Sequence, residues 1–182
     1  MKPICYKDKG NICVKQFFDK ELFNDECKIY GLLKNKYYVP KIIEIQNMKI
    51  VMEDLGDNSL NKYLLHHHIP KSLGRQLYGI AMDMLELDLY SSEHGIGNKF
   101  EHIFIDESKN EDEKGYIRIV DFDHVDTINN NSRKVFEEDL KREYDYLFNK
   151  NSKKLEELKN IFRLNGVDDD KIEDFLKQYR EL

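Results

Sequence analysis

Residues 116–125 read YIRIVDFDHV. The run from Tyr116 to Asp121 is β-prone and ends on an Asp-Phe pair, so it reads as a short strand with a carboxylate at its tip. Just upstream, residues 108–115 read SKNEDEKG, a polar stretch suited to a hairpin tip. Before that, residues 102–106 read HIFID, the matching strand. Tyr90 to Glu101 is irregular. Ser72 opens a helix whose apolar face carries Leu73, Leu77, Ile80, Ala81, Met84 and Leu85. Ser59 is placed to cap a shorter helix running to about Leu65.

Downstream of the hairpin the pattern is helical. Phe136, Leu140, Tyr144, Leu147 and Phe148 form one face, and Leu155, Leu158, Ile161 and Phe162 form the next. Asn165-Gly166 is a C-terminal stop, and Asp168 to Asp170 cap a last helix. The first 54 residues differ. Pro3–Tyr6 and Ile12–Phe18 flank the turn cluster Lys7-Asp8-Lys9-Gly10-Asn11 as a hairpin. Glu21–Lys34 has helical spacing, and Lys41–Gln46 and Lys49–Glu53 read as two further strands. The fold class is therefore α+β, with a small antiparallel sheet in residues 1–54 and a mostly helical part in residues 55–182, the two belonging to a single domain.

Bulk properties narrow the function. The net charge is −6, with no concentrated basic stripe, which argues against nucleic-acid binding. No stretch is long and apolar enough to span a membrane, and the first residues lack the apolar run of a signal peptide. Cys5, Cys13 and Cys27 show no CxxC spacing and read as buried, reduced thiols of a cytoplasmic protein.

Four segments then fall in a telling order: ICVKQF (12–17), NDECKIYGLL (24–33), KIVMEDLGDNSLNKYL (49–64) and YIRIVDFDHV. In sequence and in element type this order resembles the protein kinases, and among them the small atypical kinases of RIO-like and lipopolysaccharide-core-kinase-like type. The resemblance covers roughly residues 3 to 125 and implies a minimal bilobal fold. It implies that Lys15 neutralises phosphates and that Glu26 anchors Lys15. Met52 would line the back of an adenine pocket, and Glu53, Asp54 and Leu55 would offer backbone groups to the base. Asp121 would take Mg²⁺, a hard cation that seeks oxygen ligands. The implied cofactors are ATP and Mg²⁺.

The departures matter as much. The family's glycine-rich phosphate loop would precede the strand at Pro3, so the resemblance implies a site lacking that roof, open to completion by a partner chain. The family's catalytic loop corresponds to EHGIGNKFEHIFID (93–106), where the aspartate position falls on Gly97. Glu93, His94 and Glu101 are the local candidates for a general base, His94 and Glu101 being carried forward as catalytic candidates. His102 stands where the family has a metal-binding asparagine. It is either a nitrogen ligand to metal or a core histidine. Asp139 is either a support for the catalytic loop or an exposed helix charge.

Two functions are compatible with these residues. One is an ATP-dependent phosphotransferase of atypical serine/threonine protein-kinase type, with a protein among the possible acceptors. The other is a pseudokinase, a scaffold that keeps the fold with or without nucleotide. A helical adaptor with no nucleotide site is a third reading, and it predicts Lys15 and Asp121 far apart.

Overall fold

Four strands of five residues each build the main sheet. The computed structural model describes residues 2–8, 10–91, 100–122, 124–149 and 151–181. Strands β1 (Ile4–Asp8) and β2 (Ile12–Gln16) form the first hairpin; β3 (Ile42–Gln46) and β4 (Lys49–Glu53) form the second. All pairings are antiparallel and the order is β1-β2-β4-β3. The two hairpins therefore meet through β2 and β4, where Lys15 lies opposite Ile50 and Cys13 opposite Met52. Turns at Asn11 (φ 59°) and Asn47 (φ 49°) use the residue type that tolerates left-handed backbone.

Helix α1 (Lys20–Leu32) links the hairpins. Its N-cap is Asp19, whose carboxylate accepts the Glu21 and Leu22 amides at 2.9 and 3.2 Å. Its buried residues are Glu26, Ile29 and Tyr30, spaced i, i+3, i+4. One carboxylate thus sits on the face that the helix turns inward.

Helices α2 (Leu60–His66) and α3 (Leu73–Glu86) come next, then a short strand β5 (Leu89–Ser91). A 3-10 turn (Phe100–His102) leads into β6 (Ile103–Ile105), which pairs with β7 (Ile117–Ile119). Strand β8 (Val125–Thr127) pairs with β5. Helices α4 (Asn130–Glu143), α5 (Lys154–Leu164) and α6 (Asp169–Glu181) complete the described residues. The class is α+β. One connected core of buried apolar residues runs from Phe17 in the N-terminal part to Leu176 in α6.

Polar ties fix the N-terminal part against α3 and β7. The Ile119 amide donates to the Tyr38 carbonyl at 2.7 Å, and the Tyr38 hydroxyl donates to Asp83 at 2.7 Å. Burial and that hydrogen bond push the Tyr38 phenol well above its ordinary range.

Several local expectations change. His102 belongs to the 3-10 turn rather than to a strand. Leu89–Ser91, at the start of the stretch read as irregular, finds a strand partner 36 residues later at Val125–Thr127. Ser59 and Ser72 occupy the N-cap positions but make no side-chain cap bond. Their hydroxyls donate instead to Asn61 and to the Glu111 carbonyl. The cysteines are free thiols but not buried ones: Cys5 is exposed on an outer strand, and Cys13 and Cys27 are partly covered. Phe148, expected on an apolar face, is 69% exposed. It lies beyond the end of α4, after a 3-10 turn that breaks the helical spacing.

Candidate functional site

Lysine in mid-strand is ordinary at an exposed position and costly at a buried one unless paired. Lys15 is 4% exposed. Its ammonium donates to both oxygens of Glu26 at 2.7 Å and to Asp121 Oδ1 at 2.6 Å. An ammonium has three donors, and these three bonds use them all. Burial works against the charge on Lys15, but Glu26 and Asp121 outweigh it and hold the lysine above its ordinary value. With one cation and two carboxylates the cluster carries a net charge of about −1 in a partly water-excluded setting.

Each group is delivered by its element. β2 brings Lys15, the buried stripe of α1 brings Glu26, and the segment two residues beyond β7 brings Asp121. Asp121 has φ 66°, a left-handed conformation that aspartate tolerates better than most residues. The Val120 amide donates to the His102 carbonyl at 3.0 Å, closing the base of the β6–β7 hairpin. That bond sets His102 beside Asp121, with Nε2 3.3 Å from Oδ2. His102 Nδ1 is buried and has no hydrogen-bond partner among the described residues. Phe122 packs edge-on against Tyr30, ring centroids 5.1 Å apart, one helical turn from Glu26. The Tyr30 hydroxyl faces the Met52 sulfur at 3.8 Å.

These groups surround a cavity of about 210 Å³. Its apolar walls come from Met52, Leu55, Phe104 and Val120, together with Cys5 and Cys13 from the first hairpin. Lys15, Asp121 and His102 form its polar end, and Glu53 and Asp54 lie along its rim. The space is below the roughly 300 Å³ of a pocket that encloses a whole drug-sized ligand. A flat heterocyclic base suits it, with any charged tail outside. At the rim, the Glu53 amide is spent on the Lys41 carbonyl and the Asp54 amide on the Asn11 carbonyl, both at 2.9 Å. The Leu55 amide makes no hydrogen bond among the described residues.

The structure thus brings Lys15, Glu26, Asp121 and His102 together and sets Met52, Glu53, Asp54 and Leu55 around the adjoining cavity. Lys15 and Asp121 touch, so the wide separation that the adaptor reading predicts is not what the fold shows. Glu101 is exposed and does not line the cavity. His94, like Glu93, Gly97 and Lys99, lies outside the described residues. Asp139 pairs with Arg142 on its own helix, the exposed-charge alternative. Residues 66–68 are three consecutive histidines, yet among the described residues no group of three side chains that could hold a metal ion is formed, there or elsewhere.

Two participants went unassigned from sequence. Tyr30 links α1 to both Met52 and Phe122. Arg118, in the middle of β7, donates to Glu53 Oε1 and Oε2 at 2.8 Å each and to the Val39 carbonyl at 2.7 Å. Alternation along β7 turns Arg118 to the face opposite the buried Ile117 and Ile119, and nothing local names Glu53 as its partner.

No family model matches the chain, and no curated protein matches it.

Proposed function

We propose that the chain is an ATP-dependent phosphotransferase of atypical serine/threonine protein-kinase type, folded as a minimal bilobal kinase-like domain divided near residue 54. The contact of Lys15 with Glu26 and Asp121, at the polar end of an apolar cavity backed by Met52, is the observation that supports this most. The Mg²⁺–ATP complex supplies the phosphoryl group and the neutralising charge when bound.

The chain's own residues divide the work. Met52, Leu55 and their neighbours bind the base, and the Leu55 amide is the rim donor still available to it. Glu26 keeps Lys15 fixed with two bonds. The third donor of Lys15 is committed to Asp121, so an anionic oxygen reaches it only when Asp121 turns to another cation. Asp121 supplies a carboxylate and His102 Nε2 lies beside it, which suits a divalent ion that takes few protein ligands and fills its shell with water and phosphate oxygens. Phosphoryl transfer depends mainly on positioning and charge, so Glu101 and His94 stand as candidate bases without either being indispensable. A protein acceptor, a partner chain completing the phosphate side and a cytoplasmic setting belong to the same proposal.

A pseudokinase is the second reading. It is favoured by the absence of aspartate from residues 93–101 and by the saturation of Lys15 within the protein itself.

Calorimetric titration of Mg²⁺–ATP into the wild type and Asp121→Asn separates the possibilities. The enzyme reading expects wild-type binding and at least a tenfold loss in the variant, about 1.4 kcal/mol. Single-turnover transfer of labelled phosphate to water or to the chain should fall with it. Binding unchanged by the substitution removes Asp121 from the site. No binding at millimolar nucleotide leaves the scaffold.

A further inference from the structure

β3 is an outer strand of the four-stranded sheet, and every residue after Ile42 is exposed. Ile42, Ile43, Glu44 and Ile45 all border a cleft of about 710 Å³ that runs to the C-terminal end of α1. Four consecutive residues border one cleft because the outer edge of β3 opens onto it and the irregularity between Ile42 and Glu44 breaks the strict alternation of side chains. Such an edge presents backbone N–H and C=O groups ready to pair. Ile43 and Ile45 are 53% and 43% exposed beside it. The register shift between Ile42 and Glu44 leaves Ile43 without an opposite residue on β4.

The cleft is basic on a chain of net charge −6. Lys34, Lys41 and Lys109 line it, and none is paired with a carboxylate among the described residues. Lys109 donates to the Lys114 carbonyl at 2.9 Å. Two further cations at the cleft, Lys36 and Arg118, are neutralised by Asp83 and Glu53. Among the described residues that line the cleft, Glu44 is the sole acid.

We propose that this cleft docks an acidic, extended polypeptide segment of a partner protein, which adds to the β3 edge as a further strand. Main-chain bonds to β3 would supply affinity, apolar residues would lie beside Ile43 and Ile45, and carboxylates would face Lys34, Lys41 and Lys109. A single-stranded nucleic acid would use the same cations but not the strand edge or the isoleucines. A second copy would bring the same three lysines against their own kind, which disfavours β3-to-β3 pairing. The inference is independent of the nucleotide reading, since it uses none of Lys15, Glu26 or Asp121.

The test pans a random 12-residue peptide display library on the full chain, then measures the leading peptide, fluorescently labelled, by anisotropy. Selected sequences should be enriched in Asp and Glu interleaved with Val, Ile or Thr. Lys34→Glu with Lys41→Glu, both at exposed positions, should weaken the leading peptide at least tenfold. A copy N-methylated at alternate residues, with the same charge, should lose binding in one of its two registers. Selection without acidic enrichment overturns the proposal, as does affinity that ignores the lysine substitutions. So does tolerance of N-methylation in both registers. Displacement of the peptide by a 15-nucleotide oligothymidylate at equal concentration would assign the cleft to nucleic acid instead. A wild-type dimer dissolved by the peptide would assign it to a second copy.

Discussion

Arg118 holds Glu53 with two parallel hydrogen bonds of 2.8 Å each, joining residues 65 positions apart in the chain. A fork of this kind is geometrically demanding, and lysine does not reproduce it. The same guanidinium reaches the Val39 carbonyl, so one side chain ties the end of β4, the segment before β3 and the middle of β7. The rim of the candidate cavity is held from behind by this clamp.

The first prediction is a coupling energy. Arg118→Met and Glu53→Gln, alone and combined, should interact by about 1–2 kcal/mol in urea unfolding. Arg118→Lys should recover less than half of the loss. Purely additive effects would mean that the fork is incidental to stability.

The clamp also sets a pH dependence. The hydrogen bonds from Arg118 hold the Glu53 carboxyl below its ordinary value of 4.5. A depressed carboxylate stabilises the fold fully above its unfolded pKa and loses that contribution as pH falls through the folded one. Wild-type stability should therefore drop below about pH 4.5, and Glu53→Gln should flatten that part of the curve. Parallel acid limbs for the two proteins would refute the assignment.

At the buried pair the expectation concerns which partner is removed. Lys15→Met leaves the Glu26 carboxylate buried without its ammonium and should cost about 3–5 kcal/mol. Adding Glu26→Leu should restore more than half of that, because the charge is then gone as well. Chemical denaturation of the single and double variants decides it. A double variant weaker than Lys15→Met would show that Glu26 is held chiefly by other contacts.

Backbone conformation gives a fourth test at Asp121. With φ at 66°, alanine there pays a steric penalty that glycine avoids. Asp121→Gly should be more stable than Asp121→Ala by about 1 kcal/mol, although both lose the carboxylate. Equal midpoints in urea would contradict the left-handed assignment.

The elements with strong local signals were legible from residues alone. The helical spacing of residues 21–34 and the two N-terminal hairpins with their Asn-containing turns are of this kind, whereas the apolar face expected from Leu22, Phe23 and Cys27 is not the one α1 buries, which carries Glu26, Ile29 and Tyr30. Lys15 and Asp121 could be named only through the resemblance of their segments, taken in order, to the protein kinases, since neither stands out alone. What stayed hidden is long-range. Leu89–Ser91 and Val125–Thr127 are three residues each, too short to show a period, and become strands only by meeting. The Glu53–Arg118 fork has no local signature in either residue. Cys5 reads as buried from its apolar neighbours, yet it belongs to an outer strand exposed along its length. The role of His102 depends on a 3-10 turn whose preceding residues carry no periodic pattern.

The bond from Lys15 to Asp121 closes a span of 106 residues, whereas Lys15 and Glu26 are 11 apart. Bringing distant segments together costs chain entropy before any contact rewards it, so near neighbours in sequence tend to meet first. During synthesis the sheet and α1 leave the ribosome long before Asp121 does. Lys15 and Glu26 are then positioned to pair while the third member is still unmade. Conservative changes at Asp121 should accordingly act mainly on the unfolding rate and little on the folding rate, which stopped-flow chevrons would resolve. The charge cluster would thus be a late latch of the folding reaction, set only after the hairpin that carries Asp121 has docked.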